Sequence, residues 1–237
     1  VRVILDDNTA TSGGGLYATD AAIDWASGSA SGNTASGEGA ACYLGAEAVA
    51  AFNNIEVVAN DAGGAGGGFF ARGADLDLSG VISGNTTGAD AGAGVWFDEG
   101  ALGLSDVEFS NHSALLGAGL YLGGAASGSG ANARFSANTA NRGGGVYAAG
   151  SLTLSDSRFA SNVASELGAG VYSQAAATFI DTSFRENEAP DGAGLASVAG
   201  LTVDGGLFEL NLSDAGAGIY HLDGGALKVT DATFQYN

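Results

Sequence analysis

A short motif recurs nine times along this chain, and its spacing constrains the fold more than any other feature. A Gly followed by one or two further Gly or Ala residues precedes an apolar residue. The copies are GGGLY (13–17), GAACY (39–43), GGGFF (66–70), GAGVW (92–96), GAGLY (117–121), GGGVY (143–147), GAGVY (168–172), GAGLA (192–196) and GAGIY (216–220). Their apolar members, Leu16, Cys42, Phe69, Val95, Leu120, Val146, Val171, Leu195 and Ile219, lie 24 to 27 residues apart. A period of that length marks an architecture of stacked units, each packing only on its neighbours. No linker or change of composition interrupts the series, so residues 1–237 read as one domain.

Two further markers keep the same period. Asn recurs at Asn8, Asn33, Asn60, Asn85, Asn111, Asn138, Asn162, Asn187, Asn211 and Asn237. From FSAN (135–138) onward it closes an F-x-x-N pattern. Phe109 stands one residue closer to Asn111, which reads as a coil one residue short. Between the Gly and Asn markers lie alternating apolar pairs such as Leu152/Leu154, Leu201/Val203 and Leu227/Val229, the period-two signature of a short strand. Three short strands per repeat exclude a helical solenoid, and the repeat is too short for a propeller blade. The pattern predicts an all-β, single-stranded parallel β-helix of about nine coils. The hand of strand–crossover–strand connections makes it right-handed. Coils stacked at ~4.8 Å would give a rod on the order of 43 Å.

Composition closes off other classes. With 7 Lys and Arg against 26 Asp and Glu, the formal net charge is −19, and no basic face exists for nucleic acid. A single Cys forms no disulfide framework. No apolar run reaches the ~18 residues of a membrane span. The 42 Gly do not recur every third residue, which excludes collagen, and 46% hydrophobic content can bury a core.

The repeated GG[AL]-type and F-x-x-N tetrapeptides resemble the repeats of the chlamydial polymorphic outer membrane proteins, and the longer pattern G-[GA]-G-[VLI]-Y…L-T-L-x-[DN]-[ST]-x-F-x-x-N also resembles repeat regions of large bacterial surface proteins. The similarity covers the whole chain. It implies an autotransporter-passenger type of right-handed β-helix, at the bacterial cell surface, with an adhesive role.

Each ladder has a physical reading of its own. Asn33, Asn60, Asn85, Asn111, Asn138, Asn162, Asn187 and Asn211 are expected to stack inward and bond the next coil through their amides. Asn85, Asn111 and Asn211 also open N-x-[ST] sequons, which an inward Asn could not use. The residue after each inward apolar one should point outward. There stand Tyr17, Tyr43, Phe70, Trp96, Tyr121, Tyr147, Tyr172 and Tyr220, broken only by Ala196. This row reads either as rings stacking on one another or as a stripe for sugar rings or another chain. Asp106, Asp156, Asp181 and Asp231 precede their Phe by three residues. They are expected to cap their own turns, with a Ca²⁺ column as the competing reading; no other cofactor is implied. Cys42 occupies an inward slot and reads as an inert hydrophobe. Arg72 with Asp98, Glu108 with Arg134 and Arg158, and Arg185 with Glu209 are expected to pair between coils.

Tests for an active site come out empty. Asp75/Asp77 and Asp98/Glu99 are the acid pairs a glycosidase could use, yet each reads as a polar strand face or turn. His112 and His221 lie too far apart to share zinc, and the even coil length leaves no long loop for cleft walls. Val1 begins within a strand and Asn237 ends within one, so the chain reads as a segment of a longer protein or as a subunit stacking end to end. The expected function is a non-catalytic extracellular shaft for adhesion or spacing. A self-assembling filament and a glycan-binding stripe stand as alternatives. The partners are further copies, a host or neighbouring cell surface, or glycans.

Overall fold

The computed structural model describes residues 2–88, 91–222 and 225–237; Val1, read above as opening a strand, lies outside them. The described residues contain strands and turns and no helix. Every strand pairing is parallel, and each strand pairs with its equivalents one turn away. The chain is therefore a parallel β-helix of stacked coils.

Three faces wrap the core. The first starts after each Gly motif and runs from Leu16–Ala18 through Cys42–Leu44 and Phe69–Ala71 to Ile219–His221. The second carries the alternating apolar pairs, as in Ser151–Ser155, where Leu152 and Leu154 are buried between exposed Ser151 and Thr153. The third carries the Phe markers, as in Arg158–Ala160 and Ser183–Arg185. A narrower sheet follows the Asn markers, with Thr9–Ala10 paired to Thr34–Ala35 and Thr34 to Asp61. Alternation does the sorting: along each strand one residue enters the core and the next leaves it.

Identical inward residues then fall on top of one another. Phe109, Phe135, Phe159, Phe184, Phe208 and Phe234 form a column with centroids 4.6–4.9 Å apart and planes within 10°. The Gly motif makes room for it. A Cβ on Gly145 would lie 3.0 Å from Phe159 Cδ1 and 2.5 Å from the Gly170 carbonyl oxygen. Where the Phe slot holds only Ala30, the equivalent glycine is replaced by Ala41, and both are fully buried. The first Gly of each motif answers a different need: Gly13, Gly39, Gly66 and their successors to Gly216 all have φ between 53° and 72°, a left-handed bend. Volume is exchanged elsewhere too. Gly128 stands where neighbouring coils carry Leu102 and Leu152, and Leu122 fills the space, its Cδ2 3.2 Å from where a Cβ would sit.

The coil through Phe109 is not short. Phe109 pairs in register with Ile82 before it and Phe135 after it. The residue three beyond it, His112, occupies the ladder slot, and Asn111 does not.

Candidate functional site

The Asn markers build a hydrogen-bonded spine. Each ladder carbonyl accepts both the backbone N–H and the amide of the preceding Asn. The distances are 2.9 Å for both bonds from Asn33 to Asn60, 3.1 and 3.0 Å from Asn138 to Asn162, and 3.2 and 3.0 Å from Asn187 to Asn211. The same amide also donates across the coil to the carbonyl at the Phe slot, from Asn162 to Phe135 at 2.9 Å and from Asn187 to Phe159 at 3.1 Å. Asn33, Asn60, Asn85, Asn138, Asn162 and Asn187 are wholly buried, so hydrogen bonds between coils replace water at their side chains.

Asn111 corrects the expectation. It is exposed, at φ 60°, in the turn position that Ala59, Ala137, Ser161 and Glu186 hold in other coils. Of the three sequon asparagines it alone lies at the surface, while Asn85 and Asn211 are buried rungs. Its rung is made by His112, which is 2% exposed. The signal was present in the sequence, because His112 stands three residues after Phe109, the phase of every other rung.

The outer aromatic row is a stack. Consecutive rings from Tyr17 to Tyr147 lie 4.4–5.7 Å apart with planes within 17°. Tyr147 and Tyr172 tilt to 54°. Gln174 joins their hydroxyls, accepting from Tyr147 at 2.8 Å and donating to Tyr172 at 3.4 Å. Tyr17 is exposed; Tyr43, Trp96, Tyr121 and Tyr220 are half-buried; Phe70, Tyr147 and Tyr172 are buried. Leu116, Leu167 and Val198 pack over the lower part of the row. A ring inserted between two others needs about 7 Å, twice a van der Waals contact. From Tyr43 to Tyr121 the stack therefore presents ring edges to solvent, with ring faces used internally. Burial in this row pushes the Tyr121 and Tyr147 phenols up, with the Asp98 carboxylate adding to the first and neighbouring tyrosines to the second.

A groove of about 520 Å³ runs beside Phe70, Trp96 and Tyr121, with Leu115 and Leu116 opposite. Its two bases are already engaged. Arg72 pairs with Asp98 at 3.7 Å, and Arg142 with Glu166 at 2.5 Å. The Arg72 guanidinium carbon lies 5.3 Å from the Phe70 centroid and 5.1 Å from the Trp96 centroid. Since those rings are parallel and 4.4 Å apart, it rests on their shared edge and not over either face. Arg185 meets Glu209 at 2.6 Å as expected, while Glu108, Arg134 and Arg158 fall in one register column without forming an ion pair among the described residues. The Arg142–Glu166 pair was not anticipated, because a bulge after Ala140 shifts its register.

The acid column is built for turns. Asp106, Asp156, Asp181 and Asp231 have φ of 50°, 50°, 46° and 52°, the left-handed region that Asp tolerates. No hydrogen bond runs from these carboxylates to their own backbone among the described residues, so conformation and not side-chain capping accounts for the Asp. Asn132 and Gly205 hold the same turn in the intervening coils, both at positive φ. No three His, Cys, Asp or Glu side chains converge as metal ligands among the described residues. Asp75 is occupied, its Oδ1 accepting the Ala101 N–H at 2.9 Å, and the Asp77 carboxylate covers Gly103. Cys42 is buried, and desolvation pushes its thiol far up. The chain matches no family model, no curated protein and no solved structure.

Proposed function

We propose that this chain is a non-catalytic shaft: a stiff extracellular element of a bacterial surface protein of the polymorphic outer membrane passenger type, serving adhesion or spacing. The observation that carries this reading is the continuity of three ladders. Spine rungs run from Asn8 to Asn237, Phe rings from Phe109 to Phe234 and outer aromatics from Tyr17 to Tyr172, so cohesion is spread along the axis. The acidic coat suits a soluble element that must not cling to anionic surfaces. The outer stack offers ring edges, which argues against sugar rings lying on aromatic faces.

Excision of single coils tests the proposal. Removing residues 146–170 joins Gly145 to Val171 and keeps every ladder in phase. For a shaft, each such excision shortens the rod by ~4.8 Å and leaves display and adhesion intact, whichever coil is removed. Loss of binding or of a turnover on removing one particular coil, with the fold retained, would overturn it.

A further inference from the structure

His112 is the one rung of the described spine that is not an amide. Its Nδ1 lies 3.2 Å from the Asn85 N–H, and its Nε2 lies 2.9 Å from the Ile82 carbonyl oxygen. These partners assign the tautomer: Nε2 carries the hydrogen and donates, and Nδ1 accepts. The imidazole thus copies an amide in part, since its single Nδ1 lone pair takes the Asn85 backbone N–H and not the Asn85 side-chain amide, which bonds Val57. Nδ1 stands for the carbonyl that the preceding rung donates to, and Nε2–H for the amide hydrogen sent across the coil. Its backbone N–H continues the spine to Asn138 Oδ1 at 3.1 Å. A Cβ on Gly94 would come within 3.0 Å of Nε2, so that glycine makes room for the ring.

We infer that His112 is an acid-sensitive joint, and that the seam between the Asn85 and Asn138 rungs is where the stack loosens first as pH falls. An amide cannot titrate in this range; the imidazole can. A proton on Nδ1 removes the acceptor of the Asn85 N–H and turns two donors toward each other. The Asn85 carbonyl oxygen, 3.3 Å from Nδ1, is what the new N–H could reach. The charge would be buried without a counter-ion. Ile82, Asn85 and Gly94 meet the ring, Asn138 meets the His112 backbone N–H, and none is ionisable, while Glu108 and Arg134 alternate outward from Phe109 and Phe135. Among the described residues no charged side chain bears on the imidazole.

Burial accordingly lowers the His112 pKa from 6.5 to about 4, against the smaller opposing pull of its bonds to Asn85 and Ile82. The sign follows from linkage. Between those values the open or unfolded form binds the proton and the closed form does not. Closure is therefore fully favoured above 6.5 and weakens tenfold per pH unit toward 4, roughly 70-fold between pH 7.5 and 4.5.

The test compares hydrogen-exchange protection factors, corrected for intrinsic pH dependence, in wild type and His112→Asn at pH 7.5 and 4.5. His112→Asn restores an amide, which does not titrate in this range. Relative to it, wild type should lose protection on the order of 70-fold at the Asn85, Gly84 and Thr139 amides at pH 4.5, with Asn162 and Asn187 unchanged. Equal protection in the two proteins at both pH values, or a loss spread evenly over the coils, would overturn the inference. An NMR titration of the wild-type His112 ring decides independently of the variant: an apparent pKa at or above 6.5 also overturns it.

Discussion

The side-chain carbonyl of Asn187 accepts two hydrogens from Asn162, the backbone N–H at 3.1 Å and the amide at 3.0 Å. One oxygen thus satisfies two donors of the previous coil at a site closed to water. Replacing Asn187 with Ala leaves both donors unpaired and takes the side-chain amide from the Phe159 carbonyl, while Asn211 Oδ1 keeps only the backbone N–H of residue 187. Each stranded buried group costs about 1–3 kcal/mol, so the variant should lose about 2–6 kcal/mol in urea unfolding. A loss under ~0.5 kcal/mol would mean that the spine does not bind the coils together.

The glycines separate into those that must be Gly and those that need not. Gly145→Ala places a methyl against the Gly170 carbonyl and the Phe159 ring. Overpacking of this kind costs about 1–3 kcal/mol. Gly124 has open space around it, and Gly124→Ala should be neutral or slightly stabilising. Thermal unfolding of the two variants should give clearly different midpoints; equal midpoints would contradict the packing account.

This division shows what the sequence could disclose. The 24–27-residue period, the in/out alternation and the Phe column follow from residue type at fixed spacing, and all are present. The spine was legible by position and misread by letter. Asn111 attracted the assignment because it is an Asn, although Phe109 places the rung at His112. A rung needs an acceptor and a donor in one geometry, and imidazole supplies both. The outer row was legible as a row, but not as a covered one, since the packing of Leu116 and Leu167 over Tyr147 and Tyr172 depends on where turns fold back.

The two aromatic columns should differ in weight. Phe159 is fully buried between Phe135 and Phe184, and Phe159→Ala should cost about 3–5 kcal/mol. Tyr121 is half-buried, and Tyr121→Ala forfeits two stacking contacts worth about 0.5–1.5 kcal/mol each and part of its burial. Equilibrium unfolding should rank Phe159→Ala as the more damaging. The reverse order would place the cohesion of the rod on its outside.

Stability should also fall in alkali. The Tyr43, Tyr121 and Tyr147 phenols are raised, first by burial, above their ordinary value of 10.0. The folded state therefore holds protons that the unfolded chain releases, so its contribution is present below pH 10 and is lost as pH rises past it. Ultraviolet titration should show these phenols ionising later than in urea-unfolded protein. Coincident curves would show that the stack does not shield them.

Cys42 offers a check on coil integrity. Its raised thiol and full burial predict no reaction with a thiol reagent at pH 8 in the folded protein and complete reaction after unfolding. Rapid modification without denaturant would mean that the second coil opens freely.

Cryo-electron tomography of cells producing the protein, with the chain located by a specific antibody, tests the central claim most directly. The shaft account predicts label along thin straight rods outside the cell envelope. Label confined to the cell interior, or to compact particles without a rod, would contradict it.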